Sequence, residues 1–348
     1  MKIILVIDSF KGCLSSSEVE EMAAQGVKDA YNEAEIIFFP VSDGGEGMVN
    51  AFAKALNTDL DCVRVHNSMM QFVDAKFAIK ENTAIIEVAQ AIGLYMIPEK
   101  QRNPLVATSY GVGELLIAAY NRGARKFIVG LGGTATSDCG LGMLKALKES
   151  KMMDKLKSCQ FIIASDVNNI LLGKDGAAEV FAPQKGADTK QIIYIERRAR
   201  TFSEMCAKHF GYDCSQNAGA GAAGGLGYSF MQFFNAKMKS GADLLLDTLN
   251  FNNQLSNADL VITGEGCADG QTLMGKIPCV IMNRVKQYGI PVFLIAGKVL
   301  EKDKLINAGF SKVVSINPSD ITLEEAMQPD VARKNIRSTV NGLINEIR

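Results

Sequence analysis

The sequence predicts an α/β protein with a mainly parallel sheet and a second domain inserted into the first. Short apolar, strand-like runs alternate with segments of helical period along most of the chain. Residues 60–88 break that alternation, because "DCVRVH", "FVDAKFAIK" and "TAIIEV" read as short strands with no long helix between them. The chain has 348 residues, 47% of them hydrophobic, which is ample for two cores of ordinary size.

The elements follow in order. "KIILVID" is a buried-strand run, and "SSSEVEEMAAQGVKDAY" has helical spacing with Ser15–Ser17 as capping residues. "EIIFFPV" is the next strand and "MVNAFAKAL" a helix. After the strand-rich stretch, "TSYGVGELLIAAYNRG" is a helix, "KFIVGLGG" a strand running into a glycine loop, and "GLGMLKALKES" a helix. "FIIASD" is a strand, followed by helices near 188–210 and 223–237. "DLVITGEG" and "PVFLIAG" are strands bracketing a helix, "KVVSI" is the last strand, and the tail from Leu323 is helical.

Composition excludes several classes. The net charge is −1 with acids and bases evenly spread, which gives no footprint for nucleic acid or anionic lipid. No apolar run is long enough to span a membrane, and Asp8 cuts the first run too early for a signal peptide. The eight cysteines form no CxxC pair and read as reduced thiols of a cytoplasmic protein. His66 and His209 stand without a ligand-like or triad-like partner, so both read as structural.

In open parallel sheets ligands bind at the carboxyl ends of strands. Here five strand ends carry acids, and glycines accompany four: "DSFKG", "SDGGEG", "LGGTATSD", "DVNN" and "GEGCADG". A single "DGGEG" is a turn; five such ends suit phosphoryl transfer. Glycines expose backbone N–H groups to phosphates, carboxylates hold Mg²⁺, and a further carboxylate accepts the proton of an attacking hydroxyl. Lys11, Lys185 or Lys276 could neutralise transferring charge. Two motif matches mislead. "GAGAAG" at 219–224 fits a dinucleotide fingerprint but follows no good strand. "GQTLMGKI" at 270–277 fits a Walker A loop but has Ile277 where Ser or Thr belongs. The run "AGAGAAGGLG" serves either close helix packing or a phosphate-cradling helix start.

Taken together these segments resemble the bacterial glycerate kinase family of the glycerate 2-kinase type. The resemblance rests on "DSFKG", "PVSDGGEG", "IEVAQAIGL", "RNPLVATSYGVGEL", "GLGGTATSDCG", "SDVNNIL", "GAAEVFAPQKGA", "GAGAAGGLG" and "TGEGCADGQTLMGK", nine motifs in order over almost the whole chain. It implies transfer of the γ-phosphate of ATP to D-glycerate with Mg²⁺, typically giving 2-phosphoglycerate. It also implies a discontinuous Rossmann-like domain, taken as 1–64 and 255–348, an inserted α/β domain at 65–254, and an active site in the cleft between them. A homodimer stays open.

On this reading Asp43 lies nearest the attacking hydroxyl, with Asp166 the alternative and Lys11 stabilising the transferring charge. Asp8, Ser9, Glu46, Arg102 and Asn169 would bind the acid substrate, Arg102 through its carboxylate. Gly132, Gly133, Thr134, Asp138, Gly264, Gly266 and Lys276 would bind nucleotide, and Glu265 and Asp269 the metal. The sequence departs from the family pattern at Ile7, Cys13, Met48, Cys139, Ile170 and above all Cys267, where the family usually has arginine. A thiol cannot replace a guanidinium on an anion. A kinase for another small hydroxy acid, a non-catalytic nucleotide- or sugar-acid-binding relative, and a nicotinamide-dependent oxidoreductase are therefore the alternatives, the last ranking lowest.

Overall fold

Eleven strands order the described residues into two sheets. The structure is a computed structural model that describes residues 1–10, 12–39, 41 and 47–347. The strands are β1 (Lys2–Ile7), β2 (Glu35–Phe38), β3 (Leu60–His66), β4 (Phe72–Lys80), β5 (Thr83–Glu87) and β6 (Lys126–Gly130). They continue with β7 (Gln160–Ala164), β8 (Lys237–Lys239), β9 (Leu260–Ala268), β10 (Val292–Val299) and β11 (Lys312–Ser315). The chain forms two compact units, residues 1–43 with 242–348, and residues 44–241.

The first unit holds a parallel sheet in the order β11-β10-β9-β1-β2. Its central strand β1 is buried from Ile3 to Ile7, as expected where helices cover both faces of a parallel sheet. Helix Ser16–Ala30 starts with a capping box in which Ser15 accepts from the Glu18 N–H and the Glu18 carboxylate answers the Ser15 N–H. It packs on helix Pro329–Ile347 through Val19, Ala23 and Val27 against Ile336, Val340 and Ile344. Gly26 permits that approach, since a Cβ there would sit 2.4 Å from the Arg337 carbonyl oxygen. Arg333–Glu18 and Arg337–Asp29 ion pairs flank the seam.

The second unit holds a mixed sheet in the order β3-β4-β5-β6-β7-β8. β3, β4 and β5 are antiparallel neighbours, and β5 through β8 run parallel. The antiparallel part is the strand-rich stretch seen in the sequence. Around the sheet lies a core containing Phe77, Phe127, Val129, Phe161, Ile163, Tyr228 and Phe230.

The unit boundaries differ from those expected. A division at 64/65 would cut β3, which pairs with β4 along its whole length. A return at 254/255 would separate residues 242–254 from the first unit. They are held there by Arg284, which reaches Asp243 at 2.6 Å and Asp247 at 2.8 Å, and by Phe251 edge-on to Phe39. Two elements had no legible sequence signal, the short β8 and helix Gly241–Thr248. "GEGC" is not a loop: β9 continues to Ala268, with Cys267 beside Lys298 of β10.

Candidate active site

In the second unit the carboxyl ends of β6 and β7 feed two loops that pack together. Residues 131–140 follow β6, and Asp138 is their hub. Its side chain is 6% exposed. Its Oδ2 accepts from the Ser109 N–H (2.8 Å), the Ser109 hydroxyl (2.9 Å) and the Gly142 N–H (3.0 Å), and its Oδ1 from the Gly140 N–H (3.1 Å). Ser109 Oγ in turn accepts from the Met143 N–H at 3.0 Å. Asp138 thus ties the loop to the first turns of helices Tyr110–Asn121 and Leu141–Glu149, a use of carboxylate charge at helix starts.

Lys185 lies within this loop's packing. It is 2% exposed, and its Nζ donates to the Thr136 carbonyl at 2.6 Å and the Thr134 hydroxyl at 3.4 Å. Burial drives its pKa down to about 8, against the opposing pull of Asp138. Arg198 donates to the next carbonyl, Ser137 O, at 2.9 Å. Two cations therefore hold consecutive carbonyls of the loop.

The glycine run 219–227 packs against the same loop. Ala223, Gly224 and Gly225 all have positive φ, so regular helix begins only after them. A Cβ on Gly224 would lie 2.0 Å from Thr136 O, and Gly224 O accepts from the Cys139 N–H. Gly221 approaches Ile170 O equally closely. The run thus serves close backbone packing, one of its two sequence readings. Cys139 itself has φ +55° and is buried; desolvation, reinforced by Asp138, pushes its thiol up to about 12.

In the first unit the ends of β1 and β9 lie side by side, with the Asp8 N–H on Gly264 O at 3.0 Å. Glu265 is 6% exposed. Its Oε1 accepts from the Thr272 hydroxyl (2.6 Å), and its Oε2 faces Lys276 Nζ (3.1 Å). Lys276 Nζ stands 4.0 Å from Asp269, whose carboxylate caps the turn Gly270–Met274 through the Gln271 N–H. Cys267 is half-buried nearby, its thiol pKa raised first by desolvation and then by Asp269.

The structure brings together Thr134 and Asp138 around Lys185, and separately Glu265, Asp269 and Lys276. Gly132 and Gly133 open the first loop, with Gly133 at φ +67° and its carbonyl accepting from Leu94 N–H. Gly264 and Gly266 lie inside β9, where a Cβ on Gly264 would meet Ile295 O at 2.5 Å, a packing reason for glycine. Asp8 and Ser9 are half-buried just after β1, and Asp166 is half-buried just after β7. Asn169 donates to Asp175 O at 2.8 Å. Arg102 donates to the Ile97 and Gln184 carbonyls, so its guanidinium is tied to backbone. Lys11, Asp43 and Glu46 lie outside the described residues. Sequence reasoning passed over Ser109 and left Lys185 among general cations, although both stand inside quoted motifs, "ATSYG" and "APQKG".

Acid- and glycine-bearing strand ends in parallel sheets define a phosphotransferase class of α/β protein. The comparisons specify the family. The profile described as the glycerate kinase family matches residues 3–150 and 147–348. The glycerate kinase of Bacillus subtilis strain 168 is 36% identical over 356 residues, covering 94% of this chain and 93% of that protein. The glycerate 2-kinase of Escherichia coli K12 is 36% identical over 357 residues, with the same coverage of both, 94% and 93%. A crystal structure from Salmonella typhimurium LT2 assigned to glycerate kinase 2 superposes with a TM-score of 0.85 at 34% identity, covering 100% of this chain and 98% of that one. The chain belongs to the glycerate kinase family.

Proposed function

We propose that this chain transfers the γ-phosphate of ATP to D-glycerate, giving 2-phosphoglycerate, with Mg²⁺ as cofactor. Beyond family membership, the observation that carries this is the Asp138 loop. Two glycines and two threonines lie in a loop whose backbone is held from behind by Asp138, Lys185 and Arg198. A rigid loop with accessible glycine N–H groups is what a polyphosphate needs, because the cost of ordering it is met in folding. Gly132, Gly133 and Thr134 are the proposed nucleotide contacts, with Asp138 as their support.

Lys276 is the proposed phosphate cation of the first unit. Glu265 and Asp269 would hold Mg²⁺, which neutralises charge on the phosphates when bound. The residues fit it: two carboxylates already face one cation, Lys276, and Mg²⁺ asks the protein for only one or two carboxylates. Asp43 is proposed as the acceptor of the hydroxyl proton, on sequence grounds. Asp8, Ser9, Glu46 and Asn169 are proposed to bind the acid. Arg102 is a weaker candidate than the sequence suggested, because its donors already serve carbonyls.

Cys267 supports a second reading, another small hydroxy acid as acceptor, since a thiol presents no charge to a carboxylate. Phosphorus NMR of a mixture with ATP, Mg²⁺ and D-glycerate tests the proposal. The expected product is a phosphomonoester coupled to the C2 proton. A product coupled to the C3 protons would refute the regiochemistry, and turnover only with a different acid would favour the second reading.

A further inference from the structure

Glu87 ends β5 and is fully buried. Its Oε2 accepts from the Gly47 N–H at 3.1 Å and the Val49 N–H at 3.4 Å. These donors open helix Met48–Leu56, which has no side-chain cap of its own, Gly47 being its N-cap residue at φ +92°. The helix is anchored on its other side by Met48, Val49 and Phe52, all buried.

A buried carboxylate is a costly way to cap a helix. Taking a carboxylate out of water costs several kcal/mol, whereas Ser or Asp at the N-cap does the same work at the surface. The arrangement does something a local cap would not. It ties the residue directly after "SDGGEG" to a strand 40 positions away in sequence, at the carboxyl edge of the sheet.

We propose that Glu87 is a positioning residue for the acidic segment Ser42–Glu46, fixing the point at which that segment joins the fold. The inference rests on the reading of Asp43 as the group that takes the hydroxyl proton. Glu87 touches no reactant; it acts through Gly47 and the chain that precedes it. A carboxylate at this helix start also complements the helix dipole, so charge as well as shape is used.

The test compares Glu87→Gln and Glu87→Ala with wild type on the full chain. Glu87→Gln keeps an acceptor oxygen and loses the charge; Glu87→Ala loses both. The first readout is hydrogen exchange over residues 41–50, with β6 (126–130) as internal control, and it needs no activity. Exchange at 41–50 is expected to rise about tenfold in Glu87→Gln, and more in Glu87→Ala, with β6 unchanged. Unchanged exchange at 41–50 in both variants would overturn the anchoring.

The second readout is kinetic, at a temperature where all three proteins are folded. kcat is expected to fall about tenfold in Glu87→Gln and about a hundredfold in Glu87→Ala, with the KM for ATP within about twofold of wild type. Wild-type kcat in a Glu87→Ala protein that merely melts earlier would show a structural role only and overturn the proposal. Loss of glycerate-dependent turnover in the wild type itself would instead refute the functional reading, and the exchange experiment would still decide the anchoring.

Discussion

Replacing Lys185 by methionine separates two effects that pull in opposite directions. The ammonium is buried with its shortest bond to a carbonyl, Thr136 O at 2.6 Å. Its pKa falls from the ordinary 10.5 to about 8, chiefly by desolvation, which at neutral pH corresponds to about 3 kcal/mol of strain on the charged form. Methionine removes that strain but leaves Thr136 O without this donor, a loss of about 1–3 kcal/mol. At pH 7 the variant is therefore expected to unfold within about 2 kcal/mol of wild type. The pH dependence is sharper. Between about 8 and 10.5 the folded protein has released the proton while the unfolded chain keeps it. The unfolded state binds more protons there, so this group's contribution makes wild type more stable as pH rises, by about 1.4 kcal/mol per pH unit. Urea unfolding of both proteins from pH 7 to 10 gives the difference directly, and other titrations cancel in it. Nucleotide binding should move the other way, because a neutral amine holds the loop less firmly: the wild-type KM for ATP rises above about pH 8, while the variant starts high and stays flat. Parallel stability curves for the two proteins would refute the account of Lys185.

Asp138→Asn puts an NH₂ group against N–H donors and is expected to cost about 2–4 kcal/mol of stability and to raise the KM for ATP, read by urea unfolding and initial rates. It should also move the alkaline transition assigned to Lys185 to lower pH, since the Asp138 charge favours the ammonium. Gly224→Ala forces a Cβ to 2.0 Å from Thr136 O at φ +66° and should lower stability by about 3 kcal/mol or more, whereas Gly173→Ala, with open space around it at φ +95°, should cost about 1 kcal/mol; equal losses would contradict the packing role of the glycine run. Asp43→Asn is expected to lower kcat at least a hundredfold with an unchanged thermal midpoint, and near-normal kcat would remove Asp43 from the chemistry.

Where one residue type had one physical use, the sequence was informative. Alternating apolar runs and helical periods gave the strands of both sheets, and Ser15 and Glu18 marked a helix start that the structure closes as a capping box. Where local pattern was weak, it was not. β8 is three residues, Lys237–Lys239, with two exposed lysines, and it exists because it pairs with β7. "GEGC" looked like a loop because of its glycines, yet Gly264 stands in β9 to admit the Ile295 carbonyl. Acids at strand ends were correctly singled out, but their partners could not be read. The Ser109–Asp138 and Thr136–Lys185 contacts span 29 and 49 positions, and only the fold brings them together. The same holds for Arg102, whose charge suggested an anion but whose donors meet backbone carbonyls.

The central claim is phosphoryl transfer from ATP to D-glycerate. The most direct test is ADP release by the purified chain with ATP, Mg²⁺ and D-glycerate, against L-glycerate and no-acceptor controls. The account predicts strong turnover that depends on D-glycerate, with Cys267 tolerated. ADP release no faster than in the controls, by protein that thermal shift shows to be folded and to bind ATP, would contradict it.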